Sequence, residues 1–299
     1  MSNIQRRGLK DIITNRLMLC ITVFAALLVV LISAGLLWKA WPVFSLESLT
    51  DLLFSSTWKP LKGEFGFFAF IAGTFWVTAV AMVIAIPLCL LTAIYLAEYA
   101  PGWVSRSVKP VIDLLAGIPS VVYGLWGIMV VIPAVKWLAG MAGIVTNGYN
   151  VLTGGIVLAI MVFPVIISIS EEVIRSVPQG MREVPMALGA TRWQATKLTV
   201  MKGAAPGIIA ACILGFSRAF GETMAVLMVV GNVARIPGSI FDPAYPLAAL
   251  IANNYGEMMS IPVYDAALMF AAFLLMATVF LFNFGASFIL EKLVHNYGV

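Results

Sequence analysis

The chain has 299 residues, of which 62% are hydrophobic and only 11% are charged, and its mean hydropathy is +1.01. A water-soluble domain of this length does not have so apolar a composition, so we predict an integral membrane protein. The net charge of +4 does not indicate nucleic-acid binding, because almost all basic residues lie between apolar runs. The three cysteines lie inside apolar runs, and His295 is the single histidine, so no metal, disulfide or histidine-based catalytic pattern is found.

Six continuous apolar runs predict membrane-crossing helices rather than barrel strands. They cover approximately 17–37, 67–96, 114–135, 152–170, 204–230 and 265–290. The first run follows a basic start, but it is longer than the ~7–15-residue core of a signal peptide, so we expect an uncleaved helix. The predicted fold class is therefore all-α, a polytopic membrane protein with six transmembrane helices.

The distribution of basic residues predicts that both termini are cytoplasmic. Twelve of the eighteen Lys and Arg residues fall on the side of the N-terminus and five on the other side, while Arg218 lies inside the fifth run. The predicted division is a basic cytoplasmic N-terminus (1–16), a first helix with an extracytoplasmic loop (17–66), a transmembrane core (67–290) that includes a cytoplasmic loop (171–203), and a cytoplasmic tail (291–299).

The third run contains several helix-disrupting residues, namely Gly117, Pro119, Gly124 and Gly127. A broken helix survives in a membrane when it is covered by protein or lines a cavity. The alternative is a helix contact through small residues. Residues 97–113 and 231–264 are expected to be a loop and an irregular surface segment, respectively.

The most charged stretch, residues 171–203, is predicted to be two short helices broken at Gly189, where glycine permits a tight or left-handed turn. The residues expected to face water are Arg182, Glu183, Arg192 and Lys197, and those expected to make apolar contacts are Met186, Leu188, Trp193 and Leu198. Such an element suits the groove of a partner protein. The alternative is a plain solvated loop.

Arg218 and Glu222 are ionisable residues inside the fifth apolar run. A charge at membrane depth costs at least ~2.5–3.5 kcal/mol on insertion scales, so such residues are usually functional. We expect both on one face of a continuous helix near mid-membrane, with Arg218 roughly 21 Å along it. The fork of donors on Arg218 suits phosphate oxygens, so Arg218 is expected to meet or gate an anion. The alternative is a buried ion pair that fixes helix register.

The loop at 171–203 resembles the EAA loop of ABC importer permeases. Glu183 and Gly189 match at the family's spacing. The chain departs from the pattern at Val184 and Pro185, which replace two alanines, and at Thr199, Met201 and Lys202, which replace Ile, Leu and Pro. In the family this loop carries the coupling helix that sits on the ATPase subunit. The resemblance implies a coupling surface of Arg182, Glu183, Ala187, Gly189 and Trp193.

The segment GFSRAFGETMAV (215–226), followed by Gly231 and Asn232, closely resembles the C-type permease subunits of phosphate-specific ABC transporters. GIPSVVYG (117–124) and IYLAEYAP (94–101) also resemble that family, and the likeness covers about 67–290. It implies the type I ABC importer permease (MetI-like) fold and one half of a heterodimeric channel for inorganic phosphate. The implied pathway or gate residues are Arg218, Glu222, Ser217 and Thr223.

No G-x-x-x-x-G-K-[ST] loop occurs, so the chain is not expected to bind ATP in that way or to be an enzyme. No cofactor is expected in it, since the resemblance assigns ATP and Mg to a partner ATPase. The implied partners are an A-type permease subunit, an ABC ATPase dimer and an extracytoplasmic phosphate-binding protein, in the cytoplasmic (inner) membrane.

Three other functions remain open from the sequence. The first is an ABC permease for another oxyanion, such as sulfate, molybdate or tungstate. The second is a membrane-embedded enzyme, which requires a nucleophile–base pair or metal cluster that the sequence does not reveal. The third is a secondary transporter driven by an ion gradient, which would not need a coupling loop.

Overall fold

The computed structural model describes residues 3–257 and 260–297, and the side-chain surroundings of all of these except 3–11, 61 and 289–297. His295 and the basic residues Arg6, Arg7 and Lys10 therefore lie outside the described side chains. The helices in chain order are α1 (Asn3–Phe44), α2 (Leu49–Phe54), α3 (Phe68–Ile94), α4 (Gly102–Gly117), α5 (Ser120–Trp126), α6 (Ile132–Met141), α7 (Val151–Ser176), α8 (Gly180–Ala187), α9 (Arg192–Ala195), α10 (Met201–Phe220), α11 (Met224–Leu227), α12 (Leu247–Asn254) and α13 (Pro262–Tyr297).

Short π-helical turns extend or join several of these helices. Tyr95–Tyr99 extends α3, Gly127–Val131 joins α5 to α6, and Thr196–Val200 joins α9 to α10. Between α2 and α3, the strands β1 (Trp58–Lys59) and β2 (Glu64–Phe65) pair antiparallel in a small hairpin. We call the end of the bundle with this hairpin the hairpin end, and the opposite end, which carries residues 95–101 and 176–192, the basic end.

Six helical stretches in the described part of the chain are long and apolar enough to cross a membrane. They are Ile12–Phe44, Phe68–Tyr99, Ser120–Met141, Val151–Ser176, Arg192–Phe220 and Pro262–Phe288. The prediction of an all-α, six-helix membrane protein is therefore confirmed. The predicted boundary between residues 16 and 17 falls inside α1, which runs through it without a break.

The centre of the bundle is α7, in which 15 of 26 residues are buried, and α3 and α10 pack on either side of it. A Cβ atom at Gly215 of α10 would lie 2.6 Å from Cγ1 of Ile166, so the missing side chain lets α10 and α7 approach closely. In contrast, the apolar residues of α1 from Ile12 to Ile32 are exposed, and α1 joins the bundle through α13.

An aromatic cluster fastens the hairpin end. The ring of Trp58 meets those of Phe65, Phe67, Phe70 and Tyr264 with centroids 4.8–5.9 Å apart in edge-on geometry. Edge-on aromatic pairs add about 0.5–1.5 kcal/mol each beyond burial. The cluster therefore ties the hairpin to the first turns of α3 and α13.

The predicted third run, 114–135, is interrupted near its start, as one of the two sequence alternatives predicted, and the crossing Ser120–Met141 that follows is helical throughout. Helix α4 ends at Gly117, and α5 begins after Pro119, which has an extended backbone (ψ 141°). The Tyr123 hydroxyl donates to the Leu115 carbonyl at 2.8 Å and so spans the break. A cavity of about 280 Å³ adjoins it, lined by Leu115, Ile118, Val122, Tyr123, Trp126 and Ile160.

The small-residue alternative also holds at one glycine of this crossing. A Cβ atom at Gly124 would lie 3.2 Å from the Ala225 Cα atom, so α5 and α11 touch there. The predicted loop at 97–113 is wrong except at residues 100–101, because the π-helical turn runs to Tyr99 and α4 starts at Gly102.

The prediction of one helix over 204–230 is wrong at both ends. The fifth crossing is helical from Arg192 to Phe220, and Gly221 caps it. The apolar residues that follow are buried in protein, namely Ala225, Val226, Val229 and Val230. Their backbone is satisfied locally, since the Ala244 amide donates to the Val230 carbonyl at 3.0 Å. Non-helical backbone at membrane depth is tolerated when protein covers it, and hydropathy does not distinguish that cover from lipid.

The expectation that 231–264 is an irregular surface segment is wrong for part of its length. Residues 244–250 are all buried, and α12 begins within them. The Leu247 amide donates to the buried Thr74 hydroxyl of α3 at 2.9 Å. These contacts fold the segment back into the bundle, and α12, with eight residues, is too short to cross a membrane.

Candidate functional site

The structure places the predicted pathway residues at the interruption between α10 and α11. Arg218 lies in the last turn of α10, and Glu222 and Thr223 lie beyond its end. Helix α11 packs against α5, just after the break at residues 117–119, so the break before α5 and the end of α10 adjoin here. Unwound backbone inside a membrane bundle marks a place where polar groups can meet a solute.

Arg218 lies in the membrane, nearer the hairpin end than the midpoint that the sequence predicted. The neighbouring Phe220 ring meets the Phe75 ring at 5.2 Å, and Phe75 is roughly 10 Å along α3 from its first residue, Phe68. The Arg218 side chain is exposed, and none of the ion pairs found among the described residues includes it. The alternative of a buried ion pair is therefore not supported.

The expectation that Glu222 shares a helix face with Arg218 is wrong, because the helix ends between them. Instead, Oε1 of Glu222 accepts a hydrogen bond from the Ala225 amide at 3.2 Å, at the start of α11. An acidic oxygen at a helix start satisfies a free amide and suits the positive end of the helix. Glu222 therefore has a local structural contact in addition to any role toward an anion.

Ser217 and Thr223 contact different neighbours. The Ser217 hydroxyl bonds to the Asn283 side chain of α13 and donates to the Ile213 carbonyl at 2.9 Å. The Thr223 hydroxyl lies 3.3 Å from the Gly221 carbonyl. Asn283 was missed in the sequence, although an asparagine inside the apolar run FLFNFG was a usable signal. It fixes the end of α10 to α13, next to Arg218.

The predicted helix–glycine–helix element is present at the basic end. Helix α8 ends before Gly189, whose φ of +89° is a left-handed conformation that favours glycine. Thr191 then starts α9 with a capping box completed by Gln194. The sequence therefore predicted both the turn and its cause correctly.

The outer surface of this element is exposed and apolar. Leu188 is 84% exposed, Val184 61% and Trp193 51%, and Met186 and Leu198 are exposed as well. Glu183 and Ala187 are also exposed, beside these residues. Contiguous exposed apolar residues with a polar rim are typical of a protein docking site. We call Glu183, Val184, Met186, Ala187, Leu188 and Trp193 the docking surface.

Arg182 does not point freely into water, contrary to the sequence expectation, whereas Arg192 is exposed as expected but is bonded to the bundle. Nε of Arg182 lies 2.9 Å from Oε1 of Glu98, whose side chain is 6% exposed. The Arg192 guanidinium bonds to the backbone carbonyl of Glu98 and lies 4.9 Å above the Tyr99 ring. Arg182 is held by the end of α3 because the buried Glu98 carboxylate needs a partner, whereas Arg192 is held by a backbone carbonyl and the Tyr99 ring.

Glu98 is the main functional candidate that the sequence did not reveal. It lies in IYLAEYAP (94–101), one of the segments that resemble the phosphate permease family. An acidic residue at the end of an apolar run was the available signal, but its partner is 84 positions away in the chain. Among the described residues, no group of three or more His, Cys, Asp and Glu side chains could hold a metal ion.

Residues 85–295 match a protein family described as "Binding-protein-dependent transport system inner membrane component". The chain is 37% identical to the phosphate transport system permease protein PstC of Xylella fastidiosa (strain 9a5c), over 86% of this chain and 83% of that protein. It is 34% identical to PstC of Mesorhizobium japonicum, over 90% and 88%. It is 41% identical to the probable ABC transporter permease protein YqgH of Bacillus subtilis, over 69% of this chain and 66% of that protein.

Two solved structures share the fold at low sequence identity. One is a bacterial alginate ABC transporter in complex with its periplasmic protein, with a TM-score of 0.63 and 14% identity, over 93% of this chain and 94% of the other. The second is the MetNI methionine ABC transporter in an inward-facing conformation, with a TM-score of 0.56 and 18% identity, over 79% and 99%.

Proposed function

Because the chain belongs to the family of binding-protein-dependent transport system inner membrane components, we propose that it is the transmembrane permease subunit of an ATP-driven (ABC) importer for inorganic phosphate. Its fold is the type I ABC importer permease (MetI-like) fold, and it is a multi-pass membrane protein. The observation that carries the choice of phosphate is the similarity to phosphate transport permeases over 86–90% of the chain.

Arg218 supports an anion as the substrate. Its guanidinium offers five donors in a planar fork, lies at membrane depth and is exposed beside two interrupted helices. In the proposed pathway, Arg218 meets the phosphate oxygens, with Ser217, Glu222 and Thr223 around it at the end of α10. An A-type permease subunit supplies the other half of the pathway as a heterodimer partner.

The docking surface supports a cytoplasmic partner. As an ABC importer permease, the subunit works with an ATPase and an extracytoplasmic binding protein. We propose that an ABC ATPase dimer binds the surface around Glu183, Ala187, Gly189 and Trp193, together with Arg182 behind it. ATP and Mg are then bound by the ATPase, and this chain holds no cofactor and performs no covalent chemistry.

The orientation follows from the same proposal. With the basic end toward the cytoplasm, the segments that carry twelve of the Lys and Arg residues lie inside and the hairpin end faces the binding protein. Both termini, including the basic segment 1–16 and the tail 291–299, are then cytoplasmic, and the 67–290 core spans the inner membrane.

Uptake of labelled phosphate tests the substrate. Cells that lack the gene are supplied with the wild-type chain, and excess sulfate, molybdate or tungstate is added as a competitor. We expect restored uptake that none of these competitors blocks. Uptake that tungstate or sulfate abolishes would assign the permease to another oxyanion, and uptake that persists without the ATPase would indicate a secondary transporter.

A further inference from the structure

The basic end contains a buried charge contact that the transport pathway itself does not explain. Glu98 lies in the π-helical turn that ends α3, with 7% of the residue exposed. Isolating a carboxylate from water is costly unless it is paired and hydrogen-bonded. Its partner is Arg182 of α8, at 2.9 Å.

Arg182 joins three elements at once. Besides Glu98 of the α3 turn, its guanidinium donates to the carbonyl of Ile174 in α7 at 2.6 Å and to that of Val177 just after it. Arg182 itself belongs to α8, directly before the exposed Glu183. One residue therefore connects the docking surface to the two helices at the centre of the bundle.

Arg192 makes a second connection to the same turn. Its guanidinium bonds to the Glu98 carbonyl and covers the Tyr99 ring. A cavity of about 280 Å³ lies between the turn and the loop, lined by Glu98, Arg182, Met186, Arg192, Ala195, Thr196 and Val200. Polar contacts around a cavity therefore hold the segment 182–192 to the end of α3, beside the apolar cluster of Ala93, Ile94 and Val200.

Helix α8 packs mainly against its chain neighbours, α9 and the π-helical turn Thr196–Val200. None of its residues is fully buried, and Met181 supplies a partly buried apolar contact to the bundle. Because Arg182 contacts Glu98 directly, we expect a displacement of α8 to pull on Glu98 and hence on α3. Helix α3 packs along α7 over most of its length and reaches the level of Arg218 through Phe75.

We propose that Glu98 is a positioning residue that transmits movement of the docking surface to α3, through its ion pair with Arg182 and its backbone contact with Arg192. The proposal rests on the proposed transport function. Glu183 and Arg182 then have opposite tasks, since Glu183 faces the ATPase and Arg182 faces the membrane bundle. Breaking the contact should leave ATP hydrolysis running while less substrate is moved per ATP.

The test uses the complete complex with its partner permease, ATPase and binding protein, reconstituted in proteoliposomes. Labelled phosphate uptake and ATP hydrolysis are measured together for wild type, Glu98→Gln, Arg182→Gln and the double variant. Coupling between sites is typically altered about twofold to thirtyfold by such changes, so we expect a fall of that size in phosphate moved per ATP. The Glu98–Arg182 pair is lost in both single variants, and Arg182→Gln also loses the bonds to the Ile174 and Val177 carbonyls, so the double variant should be no worse than Arg182→Gln.

Glu172→Gln is the matched control, since Glu172 lies near the same end of α7 and its side chain is exposed. Glu172→Gln should move as much phosphate per ATP hydrolysed as wild type does. If Glu98→Gln fails to assemble, Arg192→Gln tests the same turn from an exposed residue and should lower the ratio. An assembled Glu98→Gln or Arg192→Gln complex with the wild-type ratio would overturn the proposal, as would single effects that multiply in the double variant.

Failure of the transport function gives a different result. In that case the wild-type complex itself takes up no phosphate, whatever the variant does. Glu98 is then tested with the oxyanion that the wild-type complex does transport, and ATP hydrolysis in wild type should respond to the binding protein loaded with that oxyanion more than hydrolysis in Glu98→Gln does. An equal response in both would refute the role of Glu98.

Discussion

At the scale of single residues, the site depends on where α10 stops. The end at Phe220 leaves Arg218 exposed in the last turn and separates it from Glu222. Asn283 holds the neighbouring Ser217, so the end of α10 is fixed while the Arg218 side chain stays free of the ion pairs found in the described part of the chain. The Arg218 charge is therefore not neutralised by an acidic side chain of the described part of the chain and is available to an anion.

The hydrogen bond between Glu222 and the Ala225 amide can be tested by substitution. Its Oε1 caps the Ala225 amide, and Glu222→Gln keeps an acceptor oxygen at that position, whereas Glu222→Ala removes it. We therefore expect the alanine variant to lose about 0.5–2 kcal/mol of stability, as for other helix caps, and the glutamine variant to lose much less. Thermal unfolding of the purified complex measures the difference. Equal losses in both variants would show that the charge, and not the acceptor, is required.

At the scale of elements, two interruptions and one turn set the functional surfaces. The break before α5 and the end of α10 adjoin through the contact of Gly124 with Ala225. At the basic end, the left-handed Gly189 directs α9 back under α8 and leaves Leu188 and Trp193 exposed. Each is a departure from a continuous helix, and each lies where the proposed function needs a polar or docking surface.

Gly189 gives a direct test of the docking surface. Replacing it with alanine places a Cβ in a left-handed conformation, which costs about 1–2 kcal/mol. We expect Gly189→Ala to retain less ATPase subunit when the complex is purified through the permease. Gly180→Ala is the control, because a Cβ there meets nothing within 4 Å and Gly180 has no positive φ. Equal retention by both variants would contradict this assignment of the docking surface.

At the scale of the whole molecule, the six crossings and their order could be predicted because hydropathy and length decide whether a helix can cross. The turn at Gly189 could be predicted because local backbone geometry selects glycine there. The end of the fifth crossing could not be predicted, because Val229 and Val230 are equally hydrophobic whether protein or lipid covers them. Glu98 and Arg182 could not be paired either, since their contact joins distant parts of the chain.

The contacts described above form one continuous path through the molecule. An exposed docking surface is tied through Arg182 and Glu98 to α3, and α3 reaches the level at which Arg218 is exposed. The buried core of α3, α7 and α10 lies between the two surfaces, and packed cores transmit displacement because they deform little. Movement at the basic end can therefore change the surroundings of Arg218 without any contact between the two sites.

The most direct test of the central claim is ATP-driven uptake of labelled phosphate by the complete reconstituted complex, with Arg218→Gln compared with wild type. A hydrogen-bonded charge contributes about 1.5–3 kcal/mol, so we expect uptake to fall about tenfold to hundredfold. Assembly and ATP hydrolysis should persist, because Arg218 makes no ion pair within the described part of the chain. Arg218→Lys, which keeps the charge but not the fork, should retain part of the uptake. An assembled Arg218→Gln complex that takes up phosphate at the wild-type rate would contradict the account.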